Sequence, residues 1–232
     1  APLPLPIRVI SSMATQPLLT DLAQLFMAHA PQFEVQLTSV GGVDAAKRVQ
    51  AGEAFDCVVL ASNAIDNLLA EGLLVAGSRT DLVHTGVAVA VPAGAPMPDI
   101  STEQALRQAV LAAPTVGLST GPSGVQLAKL FERWGITGQI QDRLVQAKPG
   151  IPVGALVAQG QVALGFQQLS EMLGVAGITV LGPLPDAVQI TTTFSGSVAR
   201  ASTRTQAVRM LLDFWASAAC APVKAQHGMD AA

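Results

Sequence analysis

The sequence predicts an α/β protein of two lobes, each a mostly parallel sheet flanked by helices. Three observations lead there. Short apolar runs alternate with amphipathic stretches at the spacing of strand–helix–strand units. The 232 residues are 50% hydrophobic and only 12% charged, enough for one large core or two modest ones. Two strand-like segments, residues 83–91 and 191–198, are placed to carry the chain out of a first lobe and back. Parallel strands joined through helices imply right-handed crossovers.

Residues 7–10 read as a buried strand. Ser11 to Gln16 then lead into a helix with Pro17 in its first turn, where a missing N–H costs nothing. Leu18, Leu22, Leu25 and Phe26 form its apolar stripe. Residues 33–37 are a second strand, closed by Ser39-Val40-Gly41-Gly42, and the helix over 43–50 ends at Gly52, a left-handed cap. A third strand, 57–60, precedes a helix over 63–71 that stops at Gly72.

After the strand at 83–91 comes a proline-rich loop, 92–98, and a capping box at Ser101-Thr102-Glu103-Gln104. The pattern then repeats. A strand at 115–119, the turn Thr120-Gly121-Pro122-Ser123-Gly124 and a helix over 125–134 are followed by a strand at 143–147. Lys148-Pro149-Gly150 leads to a helix through Ala158, and residues 162–166 are another strand. The return segment 191–198 precedes a closing helix over 204–217. Lobe 1 is expected at 1–83 plus 197–232 and lobe 2 at 84–196, with crossing segments near 82–86 and 192–198.

The formal charge of −3 gives no basic footprint for nucleic acid or an anionic membrane, so a bound anion must be held by local donors. No apolar run approaches the roughly 20 residues that span a bilayer. The lead Ala1-Pro2-Leu3-Pro4-Leu5-Pro6 reads as the mature end left after a signal peptide is removed. Cys57 reads as a buried strand residue and Cys220 follows an apolar helix; whether they pair is open. The histidines His29, His84 and His227 are far apart, and no cluster has metal-ligand spacing, so neither a metal nor another cofactor is predicted.

In open parallel sheets, ligands bind beyond the carboxyl ends of the strands, against helix N-termini whose free N–H groups and dipoles favour anions. Four segments have that placement: 11–16, 39–43, 121–124 and 148–151, the last adding the cation of Lys148. Each is also readable as an ordinary turn or cap; the set of four points to an anion site.

The order of these segments resembles a family. Residues 7–26, Gly41-Gly42 leading to Gln50-Ala51-Gly52, Gly121-Pro122-Ser123-Gly124 with Lys129, the run 154–160, Gly165-Phe166 and the helix at 211–216 are similar to the periplasmic molybdate-binding proteins, type II solute-binding proteins, over nearly the whole chain. The resemblance implies two α/β lobes of the periplasmic-binding-protein type II fold, a ligand cleft between them, and an anion held by hydroxyls and backbone amides. It implies a periplasmic monomer without membrane insertion, serving an ABC-transporter membrane component.

The chain departs from that family at the site. Where the family places a Ser hydroxyl after the first strand, Ala14 stands between Thr15 and, two residues back, Ser12. Gly41, followed by Gly42, replaces a second Ser; Gln168 replaces a Tyr; Lys148-Pro149 replaces an acidic pair. Ser123 and Gly150 remain as backbone donors. Losing two hydroxyls and a phenol while gaining a cation favours planar carboxylates over tetrahedral molybdate. The expected function is thus a periplasmic solute-binding-type protein for a small organic polycarboxylate.

The alternative is aconitate isomerase, an enzyme similar to this family that interconverts cis- and trans-aconitate. Allylic proton transfer needs a base, and Lys148 and His84 are the candidates. Each also has a plainer role, Lys148 as an anion's charge partner or a solvated loop lysine and His84 as a strand-edge residue. Met13 either lines the cleft or fills the core, with the core the leading reading; Arg48 is expected on an exposed helix face, and Arg200 and Arg204 face either the cleft or solvent.

Overall fold

The computed structural model describes residues 5–232, so the first four residues of the expected proline lead lie outside the described residues. The elements in order are β1 (Ile7–Ser12), α1 (Gln16–His29), β2 (Val35–Val40), α2 (Gly42–Gln50), β3 (Cys57–Ala61), α3 (Ser62–Ala70), β4 (Thr80–Pro92), α4 (Glu103–Ala112), β5 (Val116–Leu118), α5 (Pro122–Arg133) and α6 (Thr137–Ile140). They continue with β6 (Leu144–Gln146), α7 (Val153–Ala158), β7 (Leu164–Gln168), α8 (Leu169–Met172), β8 (Ile178–Pro183), β9 (Thr191–Val198), α9 (Thr205–Trp215), α10 (Ala221–Gln226) and β10 (Asp230–Ala231). The chain divides into two compact units, one running to His84 and resuming over Thr193–Ala232, the other Thr85–Thr192.

In the first unit, β2, β1 and β3 are parallel neighbours and β9 runs antiparallel to β3. The central strands β1 and β3 are buried on both faces, as parallel strands flanked by helices must be, while the edge strand β2 is half-buried. Ile7, Val9, Cys57 and Val59 pack with Leu18, Leu22 and Phe26 of α1 and Leu211 and Trp215 of α9. Ile10, Val58 and Leu60 pack on the other face with Val49 of α2 and Ile65 and Leu68 of α3. The Trp215 indole donates to the Leu22 carbonyl at 3.1 Å, which fixes α9 against α1. Cys57 and Cys220 share this core as free thiols, and burial pushes the Cys57 thiol up.

The second unit repeats the plan. β7 and β6 flank β5 in parallel, and β4 pairs antiparallel with β7 and β8. Val89, Val116, Leu118 and Phe166 face Leu106, Leu127, Leu130 and Phe131. On the opposite face two strand glycines admit α7. A Cβ on Gly117 would lie 3.2 Å from Val153 Cγ1 of α7 and 2.7 Å from Cγ1 of Val162, which precedes β7, and one on Gly165 would lie 2.5 Å from Val157 Cγ2 of α7. Glycine in these strands therefore serves close helix approach rather than a turn.

Several expectations shift. The helix cap before α4 is Thr102, whose hydroxyl accepts from the Ala105 amide at 3.1 Å, while the Ser101 amide donates to Asp99. The capping box expected from Ser101 is thus replaced by a one-sided cap one residue later. The strand expected at 162–166 starts and ends two residues later, which brings Gln167 and Gln168 into β7. β8 was not anticipated.

Lys224 is fully buried, and its ammonium donates to the Leu82 carbonyl at 2.8 Å. Burial pulls its pKa below the ordinary lysine value. Between the folded value and about 10.4 the unfolded chain keeps a proton that the folded chain has released, so stability rises with pH across that window. Lys224→Met removes this dependence and stabilises the protein at pH 7 by about 1 kcal/mol, since a buried charge is exchanged for an apolar chain of similar length. Urea titrations at pH 7 and pH 10 check it; equal pH dependence in both proteins would count against it.

Candidate functional site

Each unit gathers its parallel strand ends at one edge, and helices start there. In the first unit these starts are α2 and α3, and in the second α5; none has a hydrogen bond from its capping side chain, whereas α4 is capped by Thr102. Uncapped helix starts leave amides free for a ligand.

At the end of β1, Ser12 is 7% exposed and its hydroxyl is buried without a hydrogen-bond partner. An orphaned buried hydroxyl costs free energy unless something binds it. Its backbone carbonyl accepts from the hydroxyls of Ser11 and Thr15, at 3.1 and 3.3 Å, so Thr15 is turned inward. Ala14 is half-buried, and Met13, expected in the core, is 51% exposed. The strand has ended at Ser12, so the core-facing alternation no longer governs Met13.

Ser12 meets the start of α2 directly: a Cβ on Gly42 would lie 3.8 Å from its own. Gly41 and Gly42 are exposed, and the first helical bond runs from the Ala45 amide to the Gly41 carbonyl at 2.8 Å. The amides of Gly42, Val43 and Asp44 precede that bond. The Asp44 carboxylate shares this helix start, so an anion there competes with it for the dipole. Ser62, at the start of α3 directly after β3, belongs to the same edge and was missed because the helix was expected one residue later.

His84 is half-buried on β4, and its Nδ1 lies 2.9 Å from the Thr193 hydroxyl. Thr193 precedes Phe194, which pairs with Ala61 at the end of β3, so His84 stands at this same edge. Arg200 and Arg204 do not. They follow Val198, which pairs with Cys57 at the opposite end of β3, and the Arg204 guanidinium donates to the Leu5 carbonyl. Arg48 is ion-paired with Glu53 at the surface.

In the second unit, Ser123 is buried at the first turn of α5, with its hydroxyl 3.1 Å from that of Ser119. The amides of Gly124 and Val125 return to the Gly121 carbonyl at 3.1 and 3.3 Å. Pro122 has no N–H, so Ser123 carries the first amide of this helix start. After β6, Lys148-Pro149-Gly150-Ile151 forms a turn closed by the Ile151 amide on the Lys148 carbonyl at 3.0 Å, with Gly150 at φ +83°. Proline second and a left-handed glycine third are the residues that a type II turn requires. The turn holds Lys148 and Gly150 in solvent.

At the end of β7, Gln168 is buried and its Oε1 accepts from the Thr85 hydroxyl at 2.8 Å. Gln167 points the other way, as alternation demands, and its Oε1 accepts from the amides of Val153 and Gly154 at 3.0 and 3.4 Å. It therefore caps α7 from a neighbouring strand. The Ser170 hydroxyl is buried without a partner. Burial raises the Glu171 carboxyl above its ordinary range, and the Gln167 side chain offsets part of that by hydrogen bonding to it. Gln167, Ser170 and Glu171 were absent from the sequence-based site. Among the described residues no group of acids, histidines or cysteines is arranged to hold a metal ion.

Known proteins are similar to this chain to different degrees. The family described as bacterial extracellular solute-binding protein matches residues 7–230. A protein of Pseudomonas sp named aconitate isomerase is 41% identical over 175 residues, which are 73% of this chain and 65% of that one; the match thus spans just under two thirds of the relative's length. Among solved structures, the periplasmic molybdate-binding protein of Azotobacter vinelandii superposes with a TM-score of 0.77 at 16% identity, covering 96% of this chain and 98% of the other. The tungstate-binding protein TupA of Desulfovibrio alaskensis G20 superposes with a TM-score of 0.70 at 17% identity, covering 94% and 93%.

Proposed function

This chain belongs to the bacterial extracellular solute-binding protein family, and we propose that it takes a small polycarboxylate and, like the relative named aconitate isomerase, interconverts cis- and trans-aconitate. The observation that carries the enzymatic reading is the 41% identity to a relative named aconitate isomerase, against 16–17% to the molybdate- and tungstate-binding proteins. The family's extracellular description supports a periplasmic location.

The local chemistry supports a carboxylate ligand. Helix starts at α2 and α5 offer amides, Ser12 offers an unsatisfied hydroxyl, and Lys148 offers a solvent-exposed cation. On the resemblance to the molybdate-binding proteins, Gly41 and Gln168 take positions where that family carries a hydroxyl and a phenol. Exposed apolar side chains beside these donors, Met13 and Val43 in one unit and Val125 and Ile151 in the other, suit a carbon skeleton better than a bare oxyanion. His84 and Lys148 serve this reading as ligand contacts.

A second reading, a receptor handing the same class of anion to a membrane transporter, is favoured by the match of the family over residues 7–230. Proton NMR of trans-aconitate incubated with the protein in deuterated buffer separates the two. Appearance of the cis isomer is the expected result. No conversion, together with a large melting shift, would make the protein a receptor. In either case Lys148→Met is expected to weaken aconitate binding about 10- to 100-fold, the loss of one charge-assisted hydrogen bond of roughly 1.5–3 kcal/mol. Unchanged affinity by calorimetry would remove Lys148 from the site.

A further inference from the structure

Isomerisation of aconitate conserves atoms and electrons. A base breaks a C–H bond of the methylene next to one carboxylate, and that electron pair becomes a double bond to the central carbon. The former π pair moves to the outer carbon and is spread over its carboxylate, and the proton returns there. No oxidant, reductant or cofactor is consumed. The protein must supply a group that accepts one proton and gives it back, held against the ligand's flank.

The second unit contains such a group. Glu171 lies in the first turn of α8, immediately beyond the carboxyl end of β7, at the same edge as the ends of β5 and β6 that carry Ser123 and Lys148. Its carboxyl is only partly exposed, and the side-chain amide of Gln167 is its neighbour. Gln167 is itself immobilised, because its Oε1 is held by the two first amides of α7. The adjacent Ser170 hydroxyl is buried and unpartnered, a polar atom awaiting a ligand or a water. Of the two other candidates, Lys148 stands in solvent, and His84 belongs to the first unit, where Thr193 holds its Nδ1 at 2.9 Å and leaves Nε2 as the nitrogen open to a ligand.

We propose that the Glu171 carboxylate is the group that takes and returns the migrating proton, with Gln167 as its positioning residue. The assignment rests on the reading of the protein as an isomerase. A carboxylate drawn upward by burial is the better proton acceptor near neutral pH. The neighbouring side-chain amide of Gln167 offsets part of that upward shift.

The test compares wild type, Glu171→Gln and Glu171→Asp in the conversion of trans-aconitate, with the melting shift on adding trans-aconitate as the measure of binding. Glu171→Gln is expected to lose at least 100-fold in turnover and keep most of its melting shift. Glu171→Asp, which retains the acid one methylene short, is expected to fall between wild type and Glu171→Gln. A carboxyl with only a structural role gives the reverse order, because glutamine matches the native shape and aspartate does not; that order overturns the proposal. So does conversion by Glu171→Gln within threefold of wild type. If Glu171→Gln does not fold, Glu171→Asp decides: turnover within threefold of wild type overturns the assignment, and a fall of tenfold or more with the melting shift kept supports it. Wild type that converts no aconitate overturns the isomerase reading itself, and the assignment with it.

Discussion

Gly124→Ala is expected to lower the unfolding free energy by about 3 kcal/mol or more and to abolish anion binding by the second unit. A Cβ on Gly124 would sit 1.8 Å from the Ser119 carbonyl oxygen and 2.9 Å from its carbon. Those are backbone atoms of the same tight turn, so no side-chain rotation relieves the overlap. The Gly124 amide is bonded back to the Gly121 carbonyl at 3.1 Å, which prevents the helix start from sliding away. To fit a methyl group, the turn after β5 must open, and Ser119 and Ser123 then separate from their 3.1 Å contact. At roughly 2–4 °C per kcal/mol for a chain of this size, the melting temperature should fall by about 6–12 °C. Thermal unfolding with and without trans-aconitate measures both effects, and an unchanged melting temperature would mean that the loop is far softer than its hydrogen bonds imply.

Gly124 is readable in the sequence only as part of a turn; its necessity comes from a carbonyl five residues earlier. The same contrast runs through the molecule. Parallel strands buried on both faces announce themselves as apolar runs, so residues 7–10 and 57–60 are legible without any knowledge of their neighbours. Helix α1 is legible because its stripe of leucines and phenylalanine follows a single period. β8, by contrast, opens with only four residues, Ile178-Thr179-Val180-Leu181, before Gly182 and Pro183, is half-buried against β4, and periodicity over so few residues does not separate strand from loop.

The site shows the limit more sharply. Helix starts and the Lys148 turn follow from local chemistry, since proline, glycine and hydroxyl residues dictate backbone shape wherever they stand. Gln167 caps a helix that begins 14 residues before it, and nothing local marks it as different from Gln168. A single residue of strand register decides which of the two faces α7. Glu171 likewise carries no mark in the sequence, because its burial and its amide neighbour are products of tertiary packing. The hydroxyl of Ser12 is within reach of sequence reasoning as a strand-end serine, but its lack of a partner is not.

That dependence of the site on packing can be tested from a position that touches no ligand. Gly165→Ala places a methyl 2.5 Å from Val157 Cγ2 and 3.0 Å from Val153 Cγ1, which pushes α7 away from the sheet. The obstructing atoms are side-chain methyls, so the cost is an overpacking penalty of about 1–3 kcal/mol rather than a backbone clash. The displaced helix carries the Val153 and Gly154 amides away from Gln167, whose Oε1 then loses both donors and whose amide is no longer fixed beside Glu171. Turnover of aconitate should therefore fall by tenfold or more in a protein that still folds. Val157→Ala removes the closer obstruction, and in the double variant the methyl introduced by Gly165→Ala occupies the space that the valine vacates. The double variant should thus be more stable than the sum of the single changes predicts, by about 0.5–3 kcal/mol, and should recover part of the lost turnover. Simple additivity in urea unfolding, with no recovery of turnover, would show that α7 does not hold Gln167 in its working position.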